Sequence, residues 1–211
     1  MKSLERLMNP AILLGLGAFV GLGLVTALHD TAQHQIADNE RADLLKTLEA
    51  TISPDRFDND LLNDVITLEI PDLHGKEPVT VYRARKQGQP SAALLVVTAP
   101  NGYGGAIRLL VTVDPNGVLY GVRVISHRET PGLGDLIETG KSDWIHRFDH
   151  RSLDNPQESH WKVKRDGGDF DQFAGATITP RAIVNTVRDT LKYFKTHQPA
   201  LFRAMPEKTA P

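Results

Sequence analysis

Two hydroxyls and one carboxylate frame the most chemically suggestive stretch of the chain, Asp171-Gln172-Phe173-Ala174-Gly175-Ala176-Thr177-Ile178-Thr179-Pro180. Thr179 is a favourable N-cap, and Pro180 suits a first helical position, where the missing N–H does no harm. Beyond it, Ile183, Val184, Val187, Leu191 and Phe194 recur at helical spacing and form one apolar face. Thr177 therefore stands just ahead of a predicted helix N-terminus, where free N–H groups and the macrodipole favour a phosphate. Ala174, Gly175 and Ala176 carry almost no side chain, so a bulky phosphorylated group can approach the backbone. The same pattern also describes a well-capped helix after a tight turn, and the residues alone leave both readings open.

A second block is His127-Arg128-Glu129-Thr130-Pro131-Gly132-Leu133-Gly134-Asp135. Pro131 and Gly132 fit the central positions of a type II turn, one presetting φ and the other supplying positive φ. Thr130, ahead of a proline, is pushed extended, so that the loop offers hydroxyl and N–H donors to the polar edge of a ring system. Upstream, Asn101-Gly102-Tyr103-Gly104-Gly105 reads as a glycine-rich loop between two strands, able to bring the Tyr103 ring beside a cofactor. It lacks the lysine and spacing of a nucleotide-binding P-loop. An ordinary hairpin turn accounts for the same glycines.

Other chemistry is largely excluded. The chain has no cysteine, which removes disulfides, thiolate zinc sites, iron–sulfur ligation and c-type haem attachment. His146 and His150 have a spacing that could hold a metal on one helix face, but no zinc motif surrounds them, so they read as surface histidines and no metal site is expected. Trp144 reads as a core residue rather than a cofactor shield, and Lys162, Lys164 and Arg165 as a solvated strand face. No nucleophile elbow or Ser/His/Asp order appears, so no independent catalytic residue is assigned. A formal net charge of -2 offers no basic field for nucleic acid.

The elements that must position these residues follow from composition. Residues 11–28 carry no charge, a run long enough to cross a bilayer as a helix. Lys2 and Arg6 precede it, which puts residues 1–10 in the cytoplasm and the body of the chain outside. A signal peptide cleaved near Val25-Thr26-Ala27 is the alternative, and the length of the apolar run favours a retained anchor. Gly17 and Gly21 form a small-xxx-small pair suited to a partner helix. Residues 29–50 read as a helical stalk with Leu44, Leu45 and Leu48 on one side. Strands are predicted at 65–70, 79–85, 92–98, 107–113 and 118–126, with Asp114-Pro115-Asn116-Gly117 as a hairpin turn. Sequential strands followed by a late helix predict an α+β domain over residues 51–205, an antiparallel sheet with packed helices, and residues 206–211 form a tail.

The threonine stretch resembles the flavinylation motif of the FMN-binding domain family, Asp-x-x-(Ser/Thr)-Gly-Ala-Thr, and the second block resembles the family's Glu-Thr-Pro-Gly-Leu-Gly signature. The resemblance implies that Thr177 carries FMN through a phosphoester bond, with Asp171, Gly175 and Ala176 matching the motif and Ala174 departing from its usual Ser/Thr. It implies further that Glu129, Thr130, Pro131, Gly132, Leu133 and Gly134 lie against the flavin, with Tyr103 from the glycine loop. Agreement along the anchor, both loops and Gly167-Gly168-Asp169-Phe170 is greatest with the G-type flavoprotein subunits of Rnf/Rsx ion-translocating electron-transport complexes. The C-type flavoprotein of the sodium-translocating NADH:quinone reductase shares the domain and is one alternative; a non-catalytic membrane-tethered binding domain is another. The expectations are a single-pass protein of a bacterial inner membrane with its domain in the periplasm, relaying electrons between partner subunits of the complex. A threonine hydroxyl is a poor nucleophile without an activating base, and none lies near Thr177 in sequence, so attachment is expected to need a separate flavin transferase.

Overall fold

The computed structural model describes residues 14, 15, 18, 19, 41, 42, 44–70, 73 and 78–203. The chain divides into a unit of residues 1–44 and a unit of residues 45–211. The predicted anchor and tail lie outside the described residues, apart from 14, 15, 18 and 19, which are helical. Among the described residues no helix is long and apolar enough to cross a membrane. Of the predicted stalk, residues 41, 42 and 44–49 are helical, and Leu48 is fully buried.

The larger unit is built on a five-stranded antiparallel meander, in the order of the chain: β1 (Val65–Leu68), β2 (Val79–Lys86), β3 (Gln89–Ala99), β4 (Ile107–Val113) and β5 (Leu119–Ser126). Four strands fall within a few residues of the prediction; the first stops at Leu68 rather than at residue 70. The β4–β5 turn forms as expected, because the Asp114 carboxylate accepts from the N–H groups of Asn116 and Val118, both at 2.8 Å. Sheet alternation sends Ala93, Leu95 and Val97 of β3 and Leu109, Val111 and Val113 of β4 to one face. On that face lies the long helix α1 (Ile178–Leu201), whose Ile183, Val184, Val187, Leu191 and Phe194 are all at most 1 % exposed. Each such burial contributes about 1.5–3 kcal/mol, against about 1 kcal/mol for a helix cap, so packing on the sheet decides where α1 lies.

The opposite face is covered as well. Ala92, Leu94 and Leu110 are fully buried there, and the Thr112 and Thr51 hydroxyls meet at 2.6 Å. This is why β3 is buried along an unbroken run of residues rather than at every second one. At its far end α1 is tied down by β2. Arg83 and Arg85 donate to the carbonyls of Arg203 (2.6 Å) and Phe202 (3.0 Å), and Asp64 pairs with both arginines.

Between β5 and α1 the chain makes short 3-10 turns, Gly134–Ile137, Trp144–Phe148, Glu158–His160 and Lys164–Asp166, around an aromatic cluster. Phe148 stacks on Phe170 at 4.9 Å, Trp161 lies 5.0 Å from Phe170, and Trp144 meets Phe148 edge-on at 5.4 Å. Trp144 is thus a core residue, as its sequence context predicts. One expectation is corrected here. Lys164 and Arg165 belong to a 3-10 turn rather than a strand face, because Val163 and Phe170 form only an isolated bridge. His146 and His150 are exposed, as surface histidines should be; the turn ends at Phe148, His150 takes a positive φ of 63°, and His146 pairs with Asp149 at 3.0 Å.

Candidate functional site

Helix α1 begins earlier than the sequence suggests. Ile178 is its first residue and Thr177 occupies the N-cap position, without a side-chain cap bond. Thr179 is therefore not the cap. It lies in the first turn, fully buried, and its hydroxyl donates to Glu129 Oε2. Pro180 falls third in the helix, where an N–H would still lack a helical acceptor, so the early start costs no hydrogen bond. Thr177 itself is half-buried, and its hydroxyl has no hydrogen-bond partner among the described residues. The N–H groups of Ile178 and Thr179 point out of the same helix end, which favours an anion there.

The approach to Thr177 is posted on the aromatic cluster. Phe173 packs on Trp144 with ring centres 5.3 Å apart, and Trp144 Nε1 donates to the Asp171 carbonyl at 2.7 Å. The Ala176 N–H then closes a tight turn on the Phe173 carbonyl at 3.1 Å, with Gly175 at φ 78°, a conformation that β-carbons disfavour. The Asp171 carboxylate is held by Lys164 at 2.5 Å and Arg147 at 3.1 Å. The Lys164 hydrogen bond first, and then Arg147, pull its carboxyl below the ordinary range. One helical turn beyond Thr177, Arg181 grips Asp166 through two hydrogen bonds of 2.6 and 2.8 Å.

Pro131 and Gly132 form the expected turn, with Gly132 at φ 77° and the N–H groups of Leu133 and Gly134 donating to the Thr130 carbonyl at 3.2 and 3.0 Å. It is braced from behind by a polar chain. The Glu129 N–H donates to His127 Nδ1 at 3.0 Å, so the imidazole proton belongs on Nε2, which faces Glu138 Oε1 at 3.0 Å. Lys141 joins Glu138 to the buried Asp135 at 2.6 and 2.7 Å. Its hydrogen bond, followed by one from the Gly132 backbone, lowers the Asp135 pKa.

These elements enclose a half-open cleft of about 240 Å³, lined by Tyr103, Glu129, Thr130, Leu133, Gly134, Gly175, Ala176, Thr177, Ile178 and Thr179. Tyr103 (69 %), Leu133 (46 %) and Ile178 (45 %) are the exposed large hydrophobics described in the larger unit, and all of them line this cleft. Three segments far apart in sequence thus meet around Thr177. Four of the expected site residues do not line the cleft. Asp171 is turned to its two cations, and Ala174, Pro131 and Gly132 are exposed members of the turns themselves. Sequence reasoning misses Ile178 and Thr179 as lining residues. Ile178 carries a legible signal, for at about 100° per residue it lies roughly opposite the buried stripe of α1.

Residues 102–192, which carry both loops and the threonine turn, match the model of the FMN-binding domain family. Three relatives are each named as the G subunit of an ion-translocating oxidoreductase complex. The one from Pseudomonas aeruginosa (strain UCBPP-PA14) is 46 % identical, over 98 % of this chain and 96 % of its own. That from Photorhabdus laumondii is 44 % identical, over 92 % of each chain, and that from Shewanella loihica 41 %, over 93 % of each. The chain belongs to this G-subunit family.

Proposed function

We propose that Thr177 carries FMN through a phosphoester bond, and that the cleft holds one side of the flavin ring between Tyr103, Leu133 and Ile178. As a member of its family, the chain is the FMN-carrying electron-transfer subunit of an ion-translocating oxidoreductase complex, relaying electrons between partner subunits. The flavin supplies the redox chemistry, taking up and releasing electrons, while the protein binds, orients and tunes it.

The observation that carries this reading is the contrast between the two threonines. Thr177 lines the cleft and its hydroxyl has no partner among the described residues, whereas that of Thr179 is buried and committed to Glu129. A phosphate on Thr177 meets the N–H groups of Ile178 and Thr179 and the positive end of the α1 dipole. Exposed apolar side chains on three segments suit a flat, largely apolar ring. So small and open a cleft grips only part of a bulky cofactor, and a covalent bond supplies the retention that enclosure does not. No base touches the Thr177 hydroxyl among the described residues, which supports attachment by a separate transferase.

On this reading residues 11–28 anchor the chain in a bacterial inner membrane, with the N-terminus cytoplasmic and the domain of residues 51–205 on the periplasmic side. A tether is useful there, since a lost flavin is not readily replaced. The test is to purify the full chain after co-expression with a flavin transferase, measure its intact mass and sequence the fluorescent peptide. FMN is expected on the peptide containing Thr177. Flavin on another peptide, or flavin released by denaturant, overturns the reading.

A further inference from the structure

We propose that Glu129 is the positioning residue of the flavin cleft and that its charge holds down the reduction potential of the flavin; this rests on the flavin reading above. Glu129 is 5 % exposed and has no cation partner among the described residues. Its Oε1 accepts from the Gly104 N–H at 2.9 Å, and its Oε2 from the Thr179 hydroxyl. Gly134 presses on its other side, where an added Cβ would come within 2.8 Å of Oε2 and 2.9 Å of the Glu129 Cβ. Each of these contacts is one residue away in sequence from an apolar wall of the cleft. Gly104 follows Tyr103, Gly134 follows Leu133, and Thr179 follows Ile178. One carboxylate therefore sets the relative placement of all three walls.

A buried carboxylate without a counter-ion is normally costly. Here two donors and the positive end of the α1 dipole offset that cost. Because Glu129 is itself a lining residue of the cleft, its charge lies close enough to oppose the negative charge that reduction adds to a flavin held there. The hydroxyl of Thr179 partly neutralises that charge.

The experiment is potentiometric titration of the flavin in the full, flavinylated chain, with circular dichroism as the fold control. Glu129→Gln keeps the shape and removes the charge, so its midpoint potential is expected to rise while flavin stays on Thr177. Thr179→Val removes a donor and leaves the charge less neutralised, so its midpoint is expected to fall. Thr179→Ser should match the parent. A folded Gln variant with the parental midpoint overturns the proposal. If the Gln variant does not fold, a Thr179→Val midpoint equal to that of the parent overturns it instead. A parent chain without covalent flavin sinks the flavin reading itself, and this inference with it, whereas a flavinylated parent with unmoved variants sinks this inference alone.

Discussion

The two ends of α1 meet opposite fates. Just past the C-terminal end, Arg83 and Arg85 donate to the carbonyls of Arg203 and Phe202, Asp64 ties both arginines, and Arg83 is only 5 % exposed. At the N-terminal end, the Thr177 hydroxyl has no partner among the described residues, Ile178 is 45 % exposed, and a cleft opens in front of them. Ion pairs and carbonyl contacts hold the helix at one end, although Arg83 Nε stays buried without a partner, while the other end is left open at the proposed flavin site. Such a division lets the helix present Thr177 firmly without using Thr177 itself as a fastening.

The comparison can be broken most sharply at Thr177. Thr177→Val should abolish covalent flavin altogether, read as loss of in-gel fluorescence after denaturation, with stability within about 0.5 kcal/mol of the parent because the side chain makes no polar contact. Retained fluorescence in that variant would show that the open end is not where the flavin is joined. At the closed end, Asp64→Ala leaves Arg83 buried and unpaired, a loss of about 3–5 kcal/mol in denaturant unfolding, while any protein that folds should still be flavinylated. Thr179→Val should lower stability by about 1–3 kcal/mol by stripping a donor from the buried Glu129, with flavin still found on Thr177. An equal loss of flavin from the two valine substitutions would erase the distinction between the hydroxyls.

The smallest effect concerns Asp171. Its pKa in the folded chain lies below the ordinary 3.8, through Lys164 first and then Arg147. The pairing therefore stabilises the fold above the ordinary carboxylate range, and this contribution fades as the pH falls below about 4 toward the depressed folded value. Asp171→Asn should lower stability slightly near neutral pH, and its unfolding curve should converge on that of the parent in acid. A difference that widened in acid would show that the pair does not stabilise the folded state. At 35 % side-chain exposure the pair is well screened, so a small difference is expected.

Much of this architecture is legible in the sequence. Branched residues at period two and the Asp114–Gly117 turn mark the sheet, and the 183/184/187/191/194 spacing marks the buried face of α1. Pro131-Gly132 announces its turn because each residue restricts φ in a way only that turn uses. The start of α1 is misplaced by sequence reasoning because Thr and Pro in adjacent positions imitate a cap followed by a first helical residue. What moves the boundary is Glu129, fifty residues upstream, which takes the Thr179 hydroxyl away from any capping role. No local pattern reveals a long-range bond of that kind. The same holds for Lys164 and Asp171, whose pairing depends on the 3-10 turn that folds one back on the other.

The exposure of Tyr103, Leu133 and Ile178 has a consequence for how the molecule matures. Before it receives its pigment, the chain presents a greasy notch to water, a surface that favours clumping and unwanted partners. On the proposed flavin reading, filling the notch makes the chain redox-active and covers these exposed side chains in the same event, so a colourless preparation should be the one more prone to associate with itself.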